Sequence, residues 1–293
     1  FEFREIRDTI KMEKIADTST KYVDFFKTKG NRYRLCVLVA LGLFSQWSGN
    51  GVVSNYSARL YKNAGMQKED DRLILSAGKT ILDIIISTGC ALLSERVNRR
   101  FTFLFSTGGM LIALLFWTLT CGLHEQHESP GANAGMIFLV WVHGVFYSCC
   151  WSGLLVGYAV EILPYSIRAK GLMFLNMSIQ VSLLLNTYLN PLAFEAWEIP
   201  EGEVGHETGY GGTTWYLYLI YTIWVAGEVV FIYFMFVETR GPTLEELVRV
   251  IDGEDAQLSA LDLGAVEKES VEDDVHHRTS SSEKVRRVNV SNA

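Results

Sequence analysis

Polar positions along this chain gather in clusters, and between the clusters run long stretches with almost no charge. Six such runs stand near residues 35–60, 73–94, 101–123, 135–162, 170–194 and 214–237. Each is long enough to cross about 30 Å of hydrocarbon as a helix, which takes roughly 20 residues. Their apolar residues continue around the whole helix instead of lying along one stripe, as expected of a membrane span and not of a surface helix on a soluble core. The pattern predicts an all-α membrane protein, a bundle of six transmembrane helices. It divides the chain into cytoplasmic linker helices over 1–32, the six spans over 33–238, and a cytoplasmic tail over 239–293 that is mostly disordered.

The cations give the orientation. Lys and Arg in short loops stay on the cytoplasmic side. Lys27, Lys29, Arg32 and Arg34 precede the first run; Arg96, Arg99 and Arg100 follow the second; Arg168 and Lys170 follow the fourth; Arg240 follows the sixth. The loops 121–134 and 195–213 contain no Lys or Arg. Both termini are therefore expected in the cytoplasm. The net charge of -7 comes largely from the tail, where residues 252–274 hold nine acids and one lysine. The chain opens on a charge-rich amphipathic stretch without an initiator methionine and reads as the later part of something longer.

Charged clusters mark the cytoplasmic ends of three runs. "VEILPYSIRAKG" (160–171) sets Glu161 and Arg168 on either side of Pro164, where a helix should end. "ERVNRR" (95–100) closes the second run, and "VETRGPTLEEL" (237–247) closes the sixth. Acids and arginines at one membrane face can pair between helix ends and part again as a bundle rocks, which suits a gate. They suit membrane anchors equally well. The candidate gate comprises Glu95, Arg96, Arg99, Arg100, Glu161, Arg168 and Glu238.

These motifs carry a resemblance. E-x-x-P-x-x-x-R-x-K-G, E-R-x-x-R-R and E-T-R-G-x-T-L-E-E match, in order and spacing, the sugar porter family of the major facilitator superfamily. The match covers that family's C-terminal six helices and the end of its central intracellular linker. "FSQWSGNGVVSNYSARLYKNAG" (44–65) looks like its seventh helix. "EILPYSIRAKG", "NTYLNP" (186–191) and "GEDA" (253–256) look closest to fungal lactose permeases and cellodextrin transporters. The resemblance implies carbohydrate transport by alternating access, either facilitated or with a proton as coupling ion, with a hexose or disaccharide as substrate. It also implies a missing N-terminal six-helix half, without which this chain is expected to be inactive, and residence in the plasma membrane. The alternative is a transporter-like sugar sensor, or an interaction protein that binds without moving substrate.

Polar residues inside the runs supply the candidate sugar site. Gln46, Asn50 and Asn55 lie in the first run with Gly49 and Gly51 among them, and paired glycines in a span allow a bend. Gln46 and Asn50 are four apart and share a face. An amide in lipid is expensive unless satisfied, and amides suit sugar hydroxyls because they both donate and accept. Tyr56 and Trp151 are aromatic candidates, and Asn186 and Asn190 are expected beside the same cavity. Lys79 and Asp83 stand one turn apart in the second run, with Asp83 where the family often carries a sugar-contacting amide. Asp83 either serves the sugar or is neutralised by Lys79. Glu228 in the sixth run reads as structural. No metal-ligand spacing, phosphate loop, nucleophile motif or basic nucleic-acid patch is present, so the sequence points away from an enzyme and from any cofactor.

Overall fold

The computed structural model describes residues 21–252 apart from 64–65, 67, 94–95, 127–129, 165–166, 198–214 and 243. The linker up to residue 20, Glu95 and the tail beyond Asp252 lie outside the described residues.

Among the described residues the chain is α-helical with no strand. Five helical stretches are long and apolar enough to cross a membrane: Glu69–Leu93, Arg99–Gly122, Ala134–Ile162, Arg168–Ala196 and Trp215–Met235. They coincide with the second to sixth runs of the sequence.

The first run is different. It was expected as one span over 35–60, but the chain there is broken twice. A short helix α1 (Asp24–Lys27) leads into α2 (Lys29–Trp47), whose first turn is capped by Thr28 Oγ1 accepting from the Asn31 amide at 3.2 Å. After Ser48 the backbone turns through Gly49 at φ 91°, a left-handed conformation that only glycine adopts without strain. Helix α3 (Asn50–Asn55) follows, then a bend at Tyr56, then α4 (Ser57–Asn63).

The remaining elements are α5 (Glu69–Leu93), α6 (Arg99–Gln126), α7 (Pro130–Cys150), α8 (Leu155–Ile162), α9 (Arg168–Trp197), α10 (Trp215–Met235) and α11 (Leu244–Asp252). A turn at 151–154 separates α7 from α8, yet hydrogen bonds from Leu154 N–H to the Cys150 carbonyl and from Tyr158 N–H to the Leu154 carbonyl, both 2.8 Å, carry the helical path across it. Helix α9 contains Pro191, which leaves the Thr187 carbonyl without its helical donor. The Tyr56 hydroxyl donates to that carbonyl at 3.4 Å, so the bend after α3 and the proline in α9 meet. Helix α11 gives folded structure to the first part of a tail expected to be mostly disordered.

Packing places α6 at the centre, against both α7 and α10, while α2 lies along α9 and α5 along α7. The core is aromatic. Phe103 meets Trp151, Tyr158 and Phe236 at centroid distances of 5.1–5.2 Å, and Phe44 meets Phe231 at 5.3 Å. Burial is lopsided. The apolar window of α6 is 50% buried, whereas those of α9 and α5 are 17% and 6% buried. Met173, Met177, Val181, Leu184 and Tyr188 form an exposed stripe along α9, and Ile74, Ile81, Ile84, Ile85 and Leu92 expose α5. Helices this apolar require lipid or further protein on those faces.

Candidate functional site

The break between α2 and α3 positions the amides. Gln46 is half-buried in the last turn of α2, and its carbonyl accepts from Asn186 Nδ2 at 2.7 Å. Asn50 opens α3, half-buried, with its Oδ1 accepting from the Ser54 hydroxyl at 3.1 Å. Asn55 ends α3 and is exposed; Tyr56, half-buried, packs its ring on Phe194 at 5.5 Å. The four residues thus follow one bent ribbon, with Gln46 before the break and Asn50 after it.

Two of the expected sugar contacts are committed elsewhere. Asn186 and Asn190 are only 1% and 3% exposed. Asn190 Nδ2 donates to Asn186 Oδ1, and the Tyr221 hydroxyl donates to Asn190 Oδ1 at 2.8 Å. A Cβ added to Gly51 would lie 2.2 Å from Asn186 Nδ2, so Gly51 is what lets α9 approach α3. This amide pair joins α9 to α2 and α10 instead of facing an open cavity, because a buried amide must spend its hydrogen bonds on protein. Trp151 is likewise a core residue: 2% exposed, edge-on to Phe44 and Phe103, with its indole N–H donating to Thr107 Oγ1 at 3.2 Å.

Lys79 and Asp83 do pair. Lys79 Nζ lies 2.5 Å from Asp83 Oδ2, with the lysine side chain 8% exposed and the aspartate 25%. The other oxygen, Asp83 Oδ1, is buried and makes no hydrogen bond among the described residues. Glu228 is buried on α10 and accepts from the Trp224 indole N–H at 2.6 Å.

The charged clusters meet at one end of the bundle. Arg99 grips Glu161: Nη2 donates to Oε1 at 2.9 Å and Nε lies 3.2 Å from both oxygens. The Thr239 hydroxyl donates to Glu161 Oε2. Glu238 caps the start of α6, its Oε1 accepting from the Arg99 amide at 2.8 Å and its Oε2 from the Arg100 amide at 3.2 Å, where a carboxylate meets the positive end of the helix dipole. Arg240 Nη1 donates to the Arg96 carbonyl, and the Arg100 guanidinium stands over the Tyr233 ring at 5.3 Å. Arg168 Nη2 donates to the Leu163 carbonyl at 3.5 Å. Among the described contacts Glu161 is held by Arg99, which no local signal singles out over its neighbours Arg96 and Arg100. Six of the seven expected gate residues lie in this region; Glu95 is outside the described residues.

Two residues that matter here were not singled out from the sequence as site residues. Arg34 was read only as a topology cation, yet it is fully buried and bonded to Asp252. His143 lies inside the fourth run, fully buried, with its ring against the α2–α3 break. A titratable residue within a span was the signal that marks it.

Residues 1–251 match the sugar (and other) transporter family. The facilitated glucose transporter member 3 of Oryctolagus cuniculus is 22% identical over 242 residues, 83% of this chain and 45% of that protein. The probable polyol transporter 6 of Arabidopsis thaliana is 27% identical over 222 residues, 73% of this chain and 41% of that protein. Among solved structures, the proton:xylose symporter XylE of E. coli, a major facilitator superfamily protein, superposes with a TM-score of 0.55 at 20% identity, covering 74% of this chain and 42% of that one. The chain spans about half the length of the curated relatives it matches. It is an integral membrane protein, and it belongs to the sugar (and other) transporter family.

Proposed function

We propose that this chain is the C-terminal six-helix half of a sugar transporter that works by alternating access, with an N-terminal half completing the cavity. Its substrate is a hexose or disaccharide and its coupling ion a proton. The observation that carries this reading is the broken helix α2–α3, which sets Gln46 and Asn50 half-buried on the two sides of a backbone bend. Discontinuous helices near the midplane are where transporters of this architecture build their sites. The family match, the glucose and polyol transporters among its relatives and the likeness to a proton:xylose symporter support the sugar and the proton. The exposed stripes of α5 and α9 are the faces that the N-terminal half and the bilayer cover.

Gln46, Asn50 and Asn55 bind sugar hydroxyls, Tyr56 borders them, and Asp83 Oδ1 accepts from a further hydroxyl while Lys79 holds the other oxygen. The Arg99–Glu161–Glu238 network with Arg96, Arg100 and Arg168 is the cytoplasmic gate. The loop cations support a cytoplasmic place for both termini, the plasma membrane is the site of action, and the motifs at 161–171 and 186–191 resemble those of fungal lactose permeases and cellodextrin transporters.

The test is Gln46→Ala in the transporter that contains this chain and its N-terminal half. Losing one hydrogen bond between sugar and a buried partner costs about 1–3 kcal/mol, a factor of roughly 10 to 100 in affinity. Binding of radiolabelled D-glucose, D-xylose or lactose, whichever the wild type takes up, should weaken by that factor at unchanged surface abundance. Falling abundance with unchanged affinity per molecule would make Gln46 interhelical glue and remove it from the site.

A further inference from the structure

Where α2 stops, the backbone loses a hydrogen bond. In an unbroken helix the Ser48 carbonyl would take the amide four residues on, that of Val52. The left-handed turn at Gly49 redirects the chain, and a carbonyl left bare inside a membrane protein is costly. The Ser48 carbonyl is not bare. His143 Nε2 lies 3.0 Å from it. A carbonyl oxygen only accepts, so Nε2 carries the hydrogen and donates it. Gly49 makes room for the ring as well as for the turn, since a Cβ there would stand 3.2 Å from Nε2.

His143 is itself held on several sides. The ring is fully buried and lies edge-on to Trp117 of α6 at 6.5 Å. The next residue, Gly144, is packed by the ion pair of α5: a Cβ there would lie 2.7 Å from Lys79 Cε and 3.2 Å from Asp83 Oδ1. One step of α7 thus touches the α2–α3 break on one side and the Lys79–Asp83 pair on the other. Asn186 ties the same break to α9 through the Gln46 carbonyl, and the His143 donor is what ties its freed Ser48 carbonyl to α7.

We propose that His143 is a positioning residue for sugar recognition: by donating to the Ser48 carbonyl it sets the bend between α2 and α3 and so aligns Asn50 with Gln46. This rests on the reading that these two amides bind sugar. It does not require His143 to touch the sugar.

Three variants of the transporter containing this chain with its N-terminal half separate the possibilities. His143→Gln keeps an amide N–H near the Nε2 position. His143→Leu keeps similar bulk and has no donor. His143→Asn places its amide nearer the Nδ1 position, short of the Ser48 carbonyl, and serves where the leucine variant does not reach the membrane. Two readouts are taken: affinity for radiolabelled D-glucose, D-xylose and lactose, and hydrogen exchange of the amides over residues 49–56. Without the donor, affinity should fall by roughly 10-fold or more and exchange over 49–56 should quicken, while His143→Gln stays within about threefold of wild type in both. Equal exchange in wild type and the donor-free variant overturns the proposal, whatever the sugar does. So does equal impairment of His143→Gln and His143→Leu, because the donor would then not be what matters. Quickened exchange over 49–56 in the donor-free variant with unchanged sugar affinity would instead sink the sugar-site reading of Gln46 and Asn50.

Discussion

Replacing Arg34 by alanine should lower the melting temperature of the transporter by several degrees and reduce its abundance at the membrane. Arg34 is buried with four hydrogen-bonded contacts. Its Nη1 and Nη2 form a fork on Asp252 at 2.6 and 2.9 Å, its Nε donates to the Ile162 carbonyl at 3.1 Å, and its Nη1 donates to Asn31 Oδ1 at 3.1 Å. One guanidinium therefore clasps the start of α2, the end of α8 and the last residue of α11. The aspartate side chain is 13% exposed, so losing the arginine strands a largely buried carboxylate. Breaking a buried pair by removing one partner costs about 3–5 kcal/mol. Arg34→Lys keeps the charge but loses the fork, and should fall between. Gly30→Ala should act in the same direction, since a Cβ there would sit 1.5 Å from Asp252 Oδ1. The check is thermal unfolding followed by fluorescence-detected size exclusion. A wild-type melting curve for Arg34→Ala would show that α11 is not clasped to the bundle.

Arg99→Ala should reach the membrane and lose most sugar uptake. Arg99 links three helix ends: its side chain holds Glu161 of α8, its own amide at the start of α6 is capped by Glu238, and Thr239 completes the Glu161 shell. Hydrogen bonds to charged groups contribute about 1.5–3 kcal/mol each. Removing the side chain leaves Glu161 with Thr239 alone among these contacts and shifts the balance between open and closed forms by roughly 10- to 100-fold. Glu161→Gln should be milder, since an amide oxygen still accepts from Arg99. Uptake and surface labelling are measured together. Normal uptake at normal surface level would leave these residues as membrane anchors and end their assignment as a gate.

What the sequence made legible follows from range. Runs of membrane-length apolar residues are a local signal, and five of six appeared where the hydropathy placed them: 73–94 became Glu69–Leu93 and 214–237 became Trp215–Met235. The first run was legible as a hydrophobic stretch and, through Gly49 and Gly51, as one that bends. The place and sharpness of the break depend on φ at Gly49 and on the close approach of His143 and Asn186, which no local pattern encodes. The Lys79–Asp83 pair was readable because its partners are one turn apart on one helix. The hydrogen bonds of Asn186 and Asn190 were not legible, because their partners Gln46 and Tyr221 come from other helices. Trp151 is packed by Phe44 and Phe103 from α2 and α6, partners that its own stretch of sequence does not name. Arg34 is the extreme case. At the edge of a span a lone arginine reads as a topology signal, and only a contact 218 residues away makes it a buried structural ion.

The role proposed for residues 1–293 is one half of a sugar pathway. The exposed α5 and α9 stripes require lipid or further protein, and alternating access requires two bodies to rock. The direct measurement is sugar counterflow in liposomes, with residues 1–293 reconstituted alone and, in parallel, joined to the N-terminal half. Saturable, stereospecific flux is expected from the joined protein and none above empty vesicles from residues 1–293 alone. Saturable, stereospecific flux from residues 1–293 alone would contradict that role and make a homo-oligomer of this chain the carrier.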